Sequence, residues 1–265
     1  MDKRELLDRC RAVGEDRMLL ARVLDKLEQA QRKNIPACTG FLSESEQALA
    51  GPLIRLAGGE DRCVCTGGFA GAERKMLCFL PDWLEEEDFL AGQVPIRFLR
   101  CTYRPDQGLT HRDLLGSLMG LGLVREKIGD LLVAEGSCDL AVAESVADFL
   151  LQSWSSAGRA SLRVTEIDRE DLHIPQARVR ELRDTVMRLR LDAVAATGFG
   201  LSRTKAAELI ASGRVQVNHR ECTKGDHLLA QGDVVTARGF GKFELSQVGG
   251  QSRKGRTAIV VKRYL

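Results

Sequence analysis

The chain has 265 residues, of which 44% are hydrophobic and 29% are charged, and its formal net charge at pH 7 is +2. These values are ordinary for a folded globular protein and leave room for two or three small domains. A membrane span is not expected, because no run of about 18 apolar residues occurs. The charged segment from Met1 to Arg11 also lacks the apolar stretch of a secretory signal.

The eight cysteines are scattered along the chain, and none of them forms a C-x-x-C pair. This pattern favours buried, reduced thiols in a cytoplasmic protein. Cys63 and Cys65 alternate as in a strand, and the four histidines show no ligand spacing relative to them. We therefore expect neither a metal site nor a cofactor.

Residues 1–85 are expected to form a helical N-terminal domain with a small β hairpin. Apolar side chains recur near the helical period over residues 18–27, and this helix should end before Pro36. Ser43 has the spacing of a capping box at the start of a second helix, which Pro52 should kink or interrupt.

The β hairpin of this domain is expected over residues 61–66 and 73–80, which a glycine-rich loop at 67–71 joins. The loop lacks the strand–loop–helix order and the Gly-Lys-Ser/Thr ending of a P-loop. A hairpin loop with unusual backbone angles is the expected structure. Arg74 and Lys75, which follow the loop, remain candidates for an RNA contact.

Residues 86–168 are expected to form a central domain of ferredoxin or RRM-like type. The elements follow a βαββαβ order, with a strand at 94–103, a helix at 110–121, a hairpin at 127–143, a helix at 144–154 and a strand at 161–167. An RRM sheet binds RNA through aromatic residues on its central strands, and the strand at 139–143 has none. Protein contacts, or backbone binding through Arg112, Arg125 and Lys127, are therefore expected instead.

The end of the chain is far more basic than the rest. Residues 168–183 are highly charged and are interpreted as a linker, and residues 183–265 as a C-terminal domain. From 186 to 265 the chain has 14 Lys and Arg against 6 Asp and Glu, so the rest of the chain is acidic. The predicted elements are helices at 186–196 and 202–212 and strands at 215–217, 234–237, 242–245 and 257–262. This charge distribution indicates a polyanionic partner.

The second helix of this domain predicts a phosphate contact. Ser202 suits the N-cap, and Arg203 and Lys205 in the first turn oppose the helix dipole unless an anion is bound there. A phosphate would be attracted by both side chains and by the unpaired backbone N–H groups. Arg214 lies near the same edge of the helix as Arg203, so both can address one groove. The loop at 249–256 is expected to be flexible and to close on a phosphate backbone.

Four blocks in this order resemble the S4 RNA-binding domain over about residues 188–245: Arg190-Leu191-Asp192, Ser202-Arg203-Thr204-Lys205-Ala206, Ser212-Gly213-Arg214-Val215-Gln216-Val217-Asn218 and Gly232-Asp233-Val234-Val235. Segments 67–75, 109–118, 125–130 and 238–243 are similar to the YlmH-type S4 proteins of bacteria, which have plastid relatives. The resemblance implies an α+β protein with a helical N-terminal domain, a central RRM-like domain and a C-terminal S4 domain.

The resemblance also implies a function. A YlmH-type protein would bind structured ribosomal RNA and peptidyl-tRNA on the large ribosomal subunit, in the rescue of stalled nascent chains. We expect a cytoplasmic monomer without catalytic residues. The expected RNA-binding residues are Arg190, Ser202, Arg203, Thr204, Lys205, Arg214, Asn218, Lys224 and Lys242.

Two other functions stay open. Arg190-Leu191-Asp192 is also similar to the catalytic loop of pseudouridine synthases, in which an aspartate attacks the base. Such an enzyme needs a separate catalytic domain after the S4 domain, and this chain ends about twenty residues beyond the matched region. The other alternative is a protein adaptor linked to cell division, in which the basic surface has no binding role.

Overall fold

A computed structural model describes residues 2–175, 179–251 and 255–264. The chain divides into two compact units, residues 1–175 and 176–265. The first unit contains the helices α1 (Lys3–Arg9), α2 (Gly14–Lys33), α3 (Glu44–Leu56), α4 (Glu86–Gly92), α5 (His111–Gly120) and α6 (Glu144–Ser153). Its strands are β1 (Ala37–Cys38), β2 (Cys63–Thr66), β3 (Met76–Phe79), β4 (Ile96–Thr102), β5 (Ile128–Ala134), β6 (Ser137–Ala143), β7 (Ser156–Ala157), β8 (Ala160–Ser161) and β9 (Arg163–Ile167).

Local sequence signals determine the ends of the first helices. Helix α2 ends at Asn34, whose positive φ of 54° is the left-handed conformation that stops a helix. Ser43 and Glu46 form the predicted capping box at the start of α3. The expectation that Pro52 interrupts this helix is wrong, because α3 continues through Pro52 to Leu56. The missing N–H of Pro52 removes one hydrogen bond, and the packing of the buried face of α3 in the core compensates for that loss.

The predicted hairpin of β2 and β3 is present, and β1 adds a third strand to it in the order β1-β3-β2. Cys38 on β1 lies directly opposite Cys78 on β3, and the two side chains form a disulfide. The expectation that all cysteines are reduced is therefore wrong for this pair. The other six cysteines are free thiols.

The central sheet has the order β5-β6-β4-β9, and all its neighbouring strands are antiparallel. With α5 and α6 it forms the expected βαββαβ unit, and these helices contribute Leu114, Leu118 and Leu150 to the core on one face. On the other face, Phe98 packs in one buried cluster with Phe41 and with residues of β2 and β3. Both faces of the sheet are therefore covered, and bases cannot stack on the sheet face where an RRM binds RNA.

The second unit consists of β10 (Val179–Val186), α7 (Leu191–Phe199), α8 (Arg203–Ala211), β11 (Val215–Val217), β12 (Arg220–Glu221), β13 (Val234–Ala237), β14 (Gly241–Gln251) and β15 (Thr257–Tyr264). Its sheet has the order β10-β15-β14-β13-β11-β12. Helices α7 and α8 pack on this sheet around Phe199, Ile210 and Phe243.

The linker expected at 168–183 is wrong from Val179 onward, because β10 is an eight-residue strand that pairs with β15 along its full length. Only Leu182 and Val186 of this strand pack against the core. The remaining residues are mostly exposed and charged, which concealed the strand in the sequence. Strand β10 also begins before the expected domain boundary at 183.

Candidate nucleic-acid interface

Two arginines at the starts of neighbouring helices converge on one carboxylate. Arg190 is the N-cap residue of α7, and Arg203 is the first residue of α8. Nε and Nη2 of Arg190 donate to the two carboxylate oxygens of Asp192 over 3.2 and 2.9 Å. Nη2 of Arg203 donates to the same two oxygens over 3.2 and 3.1 Å. Asp192 thus holds the two predicted cations side by side.

Asp192 is only 6% exposed, and this burial raises its pKa. The hydrogen bonds and charges of the two guanidiniums outweigh burial, so the pKa of Asp192 lies below its ordinary value and the carboxylate is ionised at neutral pH. One carboxylate neutralises one of the two guanidinium charges. The side chains of Arg190 and Arg203 remain 37% and 60% exposed. Both cations are therefore internally paired and still accessible to an external anion.

Two backbone hydrogen bonds join the loop of residues 224–228 to the start of α7. The backbone N–H of Leu191 donates to the carbonyl of His227 over 2.8 Å, and that of Asp192 donates to the carbonyl of Gly225 over 2.9 Å. These bonds place the exposed Lys224, which precedes Gly225, at the same end of α7 as the arginine pair. Lys224 thereby remains a candidate contact beside the pair.

The start of α8 has one structural residue and two exposed ones. The Ser202 hydroxyl accepts from the backbone N–H of Lys205 over 3.3 Å, which makes Ser202 the N-cap of the helix. Thr204 and Lys205 are exposed. In the part of the chain that the structure describes, Lys205 has no ion pair. A cation at this helix start is unfavourable until an anion binds there.

The remaining expected residues are placed differently. Arg214 is exposed just beyond α8, and its Nε donates to the Ser212 hydroxyl over 3.0 Å. Asn218 has a positive φ of 49°, and its amide group bonds to Asp233 and to the backbone of Val234, so its role is to build the β11–β12 turn. The contact of Asn218 with RNA stays a prediction.

Lys242 is the other expected residue that lies outside the helix pair. It is on β14, opposite Thr236 of β13, and its ammonium lies 5.2 Å from the ring centroid of Tyr264. This distance is that of a cation–π contact, which holds Lys242 on the sheet.

Sequence reasoning missed a cleft beside the arginine pair. The cleft has a volume of about 430 Å³ and includes Arg188 and Arg256 in addition to Arg190 and Arg203. Nε of Arg256 donates to the Thr185 hydroxyl over 2.9 Å, because β10 and β15 pair in this part of the sheet. The unrecognised strand β10 explains why this cluster was missed.

The flexible loop expected at 249–256 is only partly described. Gly249, Gly250 and Gln251 belong to β14, so the expectation of flexibility is wrong for them. Residues 252–254 of the expected loop lie outside the described residues.

Three basic residues of the first unit donate hydrogen bonds to other parts of that unit. Nε and Nη2 of Arg74 donate to the carbonyls of Ile128 and Phe41 over 3.0 and 2.8 Å. Arg125 also donates to the carbonyl of Ile128, over 2.6 Å, and burial lowers the pKa of Arg125 to about 10. Lys127 donates to a serine hydroxyl over 3.1 Å. The expected contacts of Arg74, Arg125 and Lys127 with RNA stay predictions, and Arg112 is exposed.

Comparison with known proteins agrees with this architecture. Residues 95–171 match a family profile described as "Putative RNA-binding domain in YlmH", and residues 189–235 match the S4 domain. The chain is 33% identical over 252 residues to the ribosome-associated protein quality control protein P2 of Bacillus subtilis, covering 94% of this chain and 95% of that protein. A solved structure, the cell division protein ylmH from Streptococcus pneumoniae, is 22% identical and covers 61% of this chain and 97% of its own, with a TM-score of 0.49.

The second unit, with its two short helices on a sheet and basic residues at both helix starts, is an S4-domain module. With the matching central domain and the likeness over nearly the whole chain, this protein belongs to the YlmH family of S4-domain proteins. None of the described helices is both long enough and apolar enough to cross a membrane.

Proposed function

We propose that this protein binds structured ribosomal RNA on the large ribosomal subunit through its S4 domain, without catalysing a reaction. The observation that carries the proposal is the pair of accessible guanidiniums that Asp192 holds at the adjoining starts of α7 and α8. Lys205 and Arg214 extend this basic surface. Arginine forks and lysines at helix starts suit phosphate groups.

The wider role is inferred from the family. The B. subtilis relative carries the name of a ribosome-associated quality control protein. By this likeness, we propose a role in the rescue of stalled nascent chains, with peptidyl-tRNA as a second RNA partner. The cytoplasm is then the site of action, and the protein binds as a monomer.

The state of Asp192 favours a binding role over base modification. A nucleophilic aspartate needs an open pocket and room to approach the base. The carboxylate of Asp192 is buried, and four hydrogen bonds from two guanidiniums occupy it. Analysis of the nucleosides of ribosomal RNA after incubation with the protein tests this point, and a newly modified base would refute a purely binding role.

The test of binding is co-sedimentation with large ribosomal subunits over a range of salt concentrations. Joint Arg203→Ala and Lys205→Ala substitution should weaken binding and flatten the salt dependence by about two phosphate contacts, a change of roughly 1.4 to 1.8 in the slope of log K against log salt. The matched control is Arg32→Ala with Lys33→Ala, which removes the same two residue types from the exposed end of α2.

The control should bind as the unaltered protein does. An unchanged slope in the Arg203 and Lys205 variant would remove these two residues from the interface. If the unaltered protein fails to sediment with the large subunit at every salt concentration, the proposal is wrong and the adaptor alternative is favoured.

A further inference from the structure

The cleft beside the arginine pair is lined by both charged and apolar side chains. Its lining comes from the end of β10 and the segment after it, from one face of α7, from the start of α8 and from the residue before β15. A volume of about 430 Å³ falls in the range of small-molecule pockets, which is roughly 300–1,000 Å³. The cleft is thus too small for an RNA helix and large enough for a single nucleotide.

Cationic groups dominate the polar part of the cleft. Four guanidiniums line it, those of Arg188, Arg190, Arg203 and Arg256. The carboxylate that lines the cleft is that of Asp184, whose oxygens accept from the Thr185 N–H and the Thr197 hydroxyl, each over 2.7 Å. Asp192 pairs with Arg190 and Arg203 and is the second carboxylate, so two negative charges balance only part of the four positive charges. The excess of positive charge suits the phosphates of a nucleic-acid strand.

Apart from Thr185 and Thr197, the rest of the lining is apolar. Val186, Met187, Ala193, Ala196 and Leu201 contribute to it. Met187 is 61% exposed although it lies at the rim of an arginine cluster, where hydration would favour a polar residue. The small alanines of α7 leave room above them for a flat group. A site for phosphate alone does not need such an apolar wall, whereas a nucleobase does.

We propose that this cleft holds one unstacked nucleotide of the bound RNA. Its base lies between Met187 and the alanines of α7, and the phosphates on either side contact the arginine rim. The inference rests on the proposed function, because the same Arg190 and Arg203 serve both. It adds a preference for RNA that has an unpaired nucleotide next to a helix, which phosphate contacts alone cannot provide.

The experiment compares two RNA hairpins of equal length and charge in a fluorescence-anisotropy titration. One hairpin is fully paired, and the other carries a single-nucleotide bulge that is varied over the four bases. The unaltered protein should bind the best bulged hairpin about tenfold more tightly, since only an unpaired base can enter the cleft and contact its apolar wall. The salt dependence should be the same for both hairpins, because the phosphate contacts are shared.

Two variants test the wall without changing the charge. Ala196→Leu fills the cleft, and Met187→Ser removes its exposed apolar cover. Both should abolish most of the preference for the bulge and leave binding to the paired hairpin unchanged, whereas Met187→Leu should retain the preference. Val179→Ser, at the opposite end of β10, is the matched control and should behave as the unaltered protein does. If Ala196→Leu lowers the thermal midpoint of unfolding, the test rests on Met187→Ser, because Met187 is exposed.

The outcomes separate the inference from the proposed function. Equal binding of both hairpins by the unaltered protein overturns the nucleotide site and leaves RNA binding intact. Failure to bind either hairpin or the large ribosomal subunit overturns both. Adenosine, guanosine, cytidine and uridine monophosphates serve as competitors. If any of them displaces the bulged hairpin at a concentration comparable to the RNA, the cleft is a site for free nucleotides and the inference is wrong.

Discussion

Asp192 holds the guanidiniums of Arg190 and Arg203 in a fixed arrangement, and it also neutralises one of their two charges. Replacing Asp192 by asparagine tests which of these two effects matters more for RNA affinity. The side chain keeps its shape and one amide oxygen, and it loses the charge that holds Arg190 and Arg203 together. The substitution therefore adds positive charge to the RNA-binding surface and at the same time removes the fixed arrangement of its guanidiniums. These two effects on RNA affinity have opposite signs, and their magnitudes decide the outcome.

The gain from the added charge is small. A unit charge about 8 Å from a phosphate is worth about 0.5 kcal/mol in water, and physiological salt reduces this further. The loss is larger, because ordering a long side chain on binding costs about 0.5–1.5 kcal/mol, and two arginines are released. We therefore expect Asp192→Asn to bind RNA about tenfold more weakly. We also expect it to lose about 2 kcal/mol of folding free energy, since charge-assisted hydrogen bonds contribute about 1.5–3 kcal/mol and both arginines are partly hydrated.

The assay is the anisotropy titration at fixed salt, with urea unfolding alongside. Asp226→Asn is the matched control, because Asp226 is exposed, lies in the loop that contacts the start of α7, and its charge acts on Arg190 without a hydrogen bond. This control makes the same change in charge and should bind RNA slightly more tightly than the unaltered protein. If Asp192→Asn binds as tightly as Asp226→Asn, the two arginines do not act as an ordered pair and the reasoning is wrong.

The pH dependence of stability provides a second check on Asp192. Its pKa in the folded protein lies below the ordinary value of 3.8, because the two arginines outweigh the effect of burial. The stabilisation by the ionised group is therefore complete above the unfolded pKa and is lost as the pH falls through the folded one. The stability difference between the unaltered protein and Asp192→Asn should be constant from about pH 5 to 8 and should shrink as the pH falls through the folded pKa.

Two further predictions concern the cores. Joint Cys38→Ala and Cys78→Ala should lower the free energy of urea unfolding of the oxidised protein by up to about 4 kcal/mol, because the disulfide joins residues 40 positions apart. Reductant should cause a similar loss in the unaltered protein. Titration of eight free thiols without reductant would contradict the disulfide. Gly198→Ala should destabilise the protein by about 2 kcal/mol although alanine favours a helix, because the new Cβ would lie 2.3 Å from Phe243. The control is Gly116→Ala, in open space on α5, which should stabilise the protein by up to about 1 kcal/mol. Equal thermal midpoints for these two variants would contradict the clash.

The parts of the fold that local signals determine could be predicted from the sequence. The capping boxes at Ser43 and Thr110 depend on residues three positions apart, and both form. The βαββαβ order and the two helices of the S4 domain follow from apolar periodicity, and both are present. The disulfide could not be predicted, because Cys38 lies on a two-residue strand and its partner Cys78 is 40 residues away.

In the candidate site too, some features follow from local sequence signals and others depend on contacts between distant parts of the chain. Arg190, Arg203 and Lys205 could be selected by charge, position at helix starts and likeness to the S4 motif. Their common carboxylate could not, since the pairing of Arg203 with Asp192 requires the packing of α7 against α8. Arg256 joins the cleft only because β15 pairs with β10, where its partner Thr185 lies 71 residues earlier in the chain. Contacts of this kind depend on tertiary structure, and no periodicity in a single strand reveals them.

The covered central sheet and the charge distribution both support our proposal that RNA binds through the S4 domain. Phe98 and its neighbours occupy the sheet face on which an RRM would stack bases, and Arg74 and Arg125 bond to backbone carbonyls. The residues before 186 are acidic as a group, so they repel phosphates at long range. Under the proposed function, a polyanion is therefore attracted to the basic second unit.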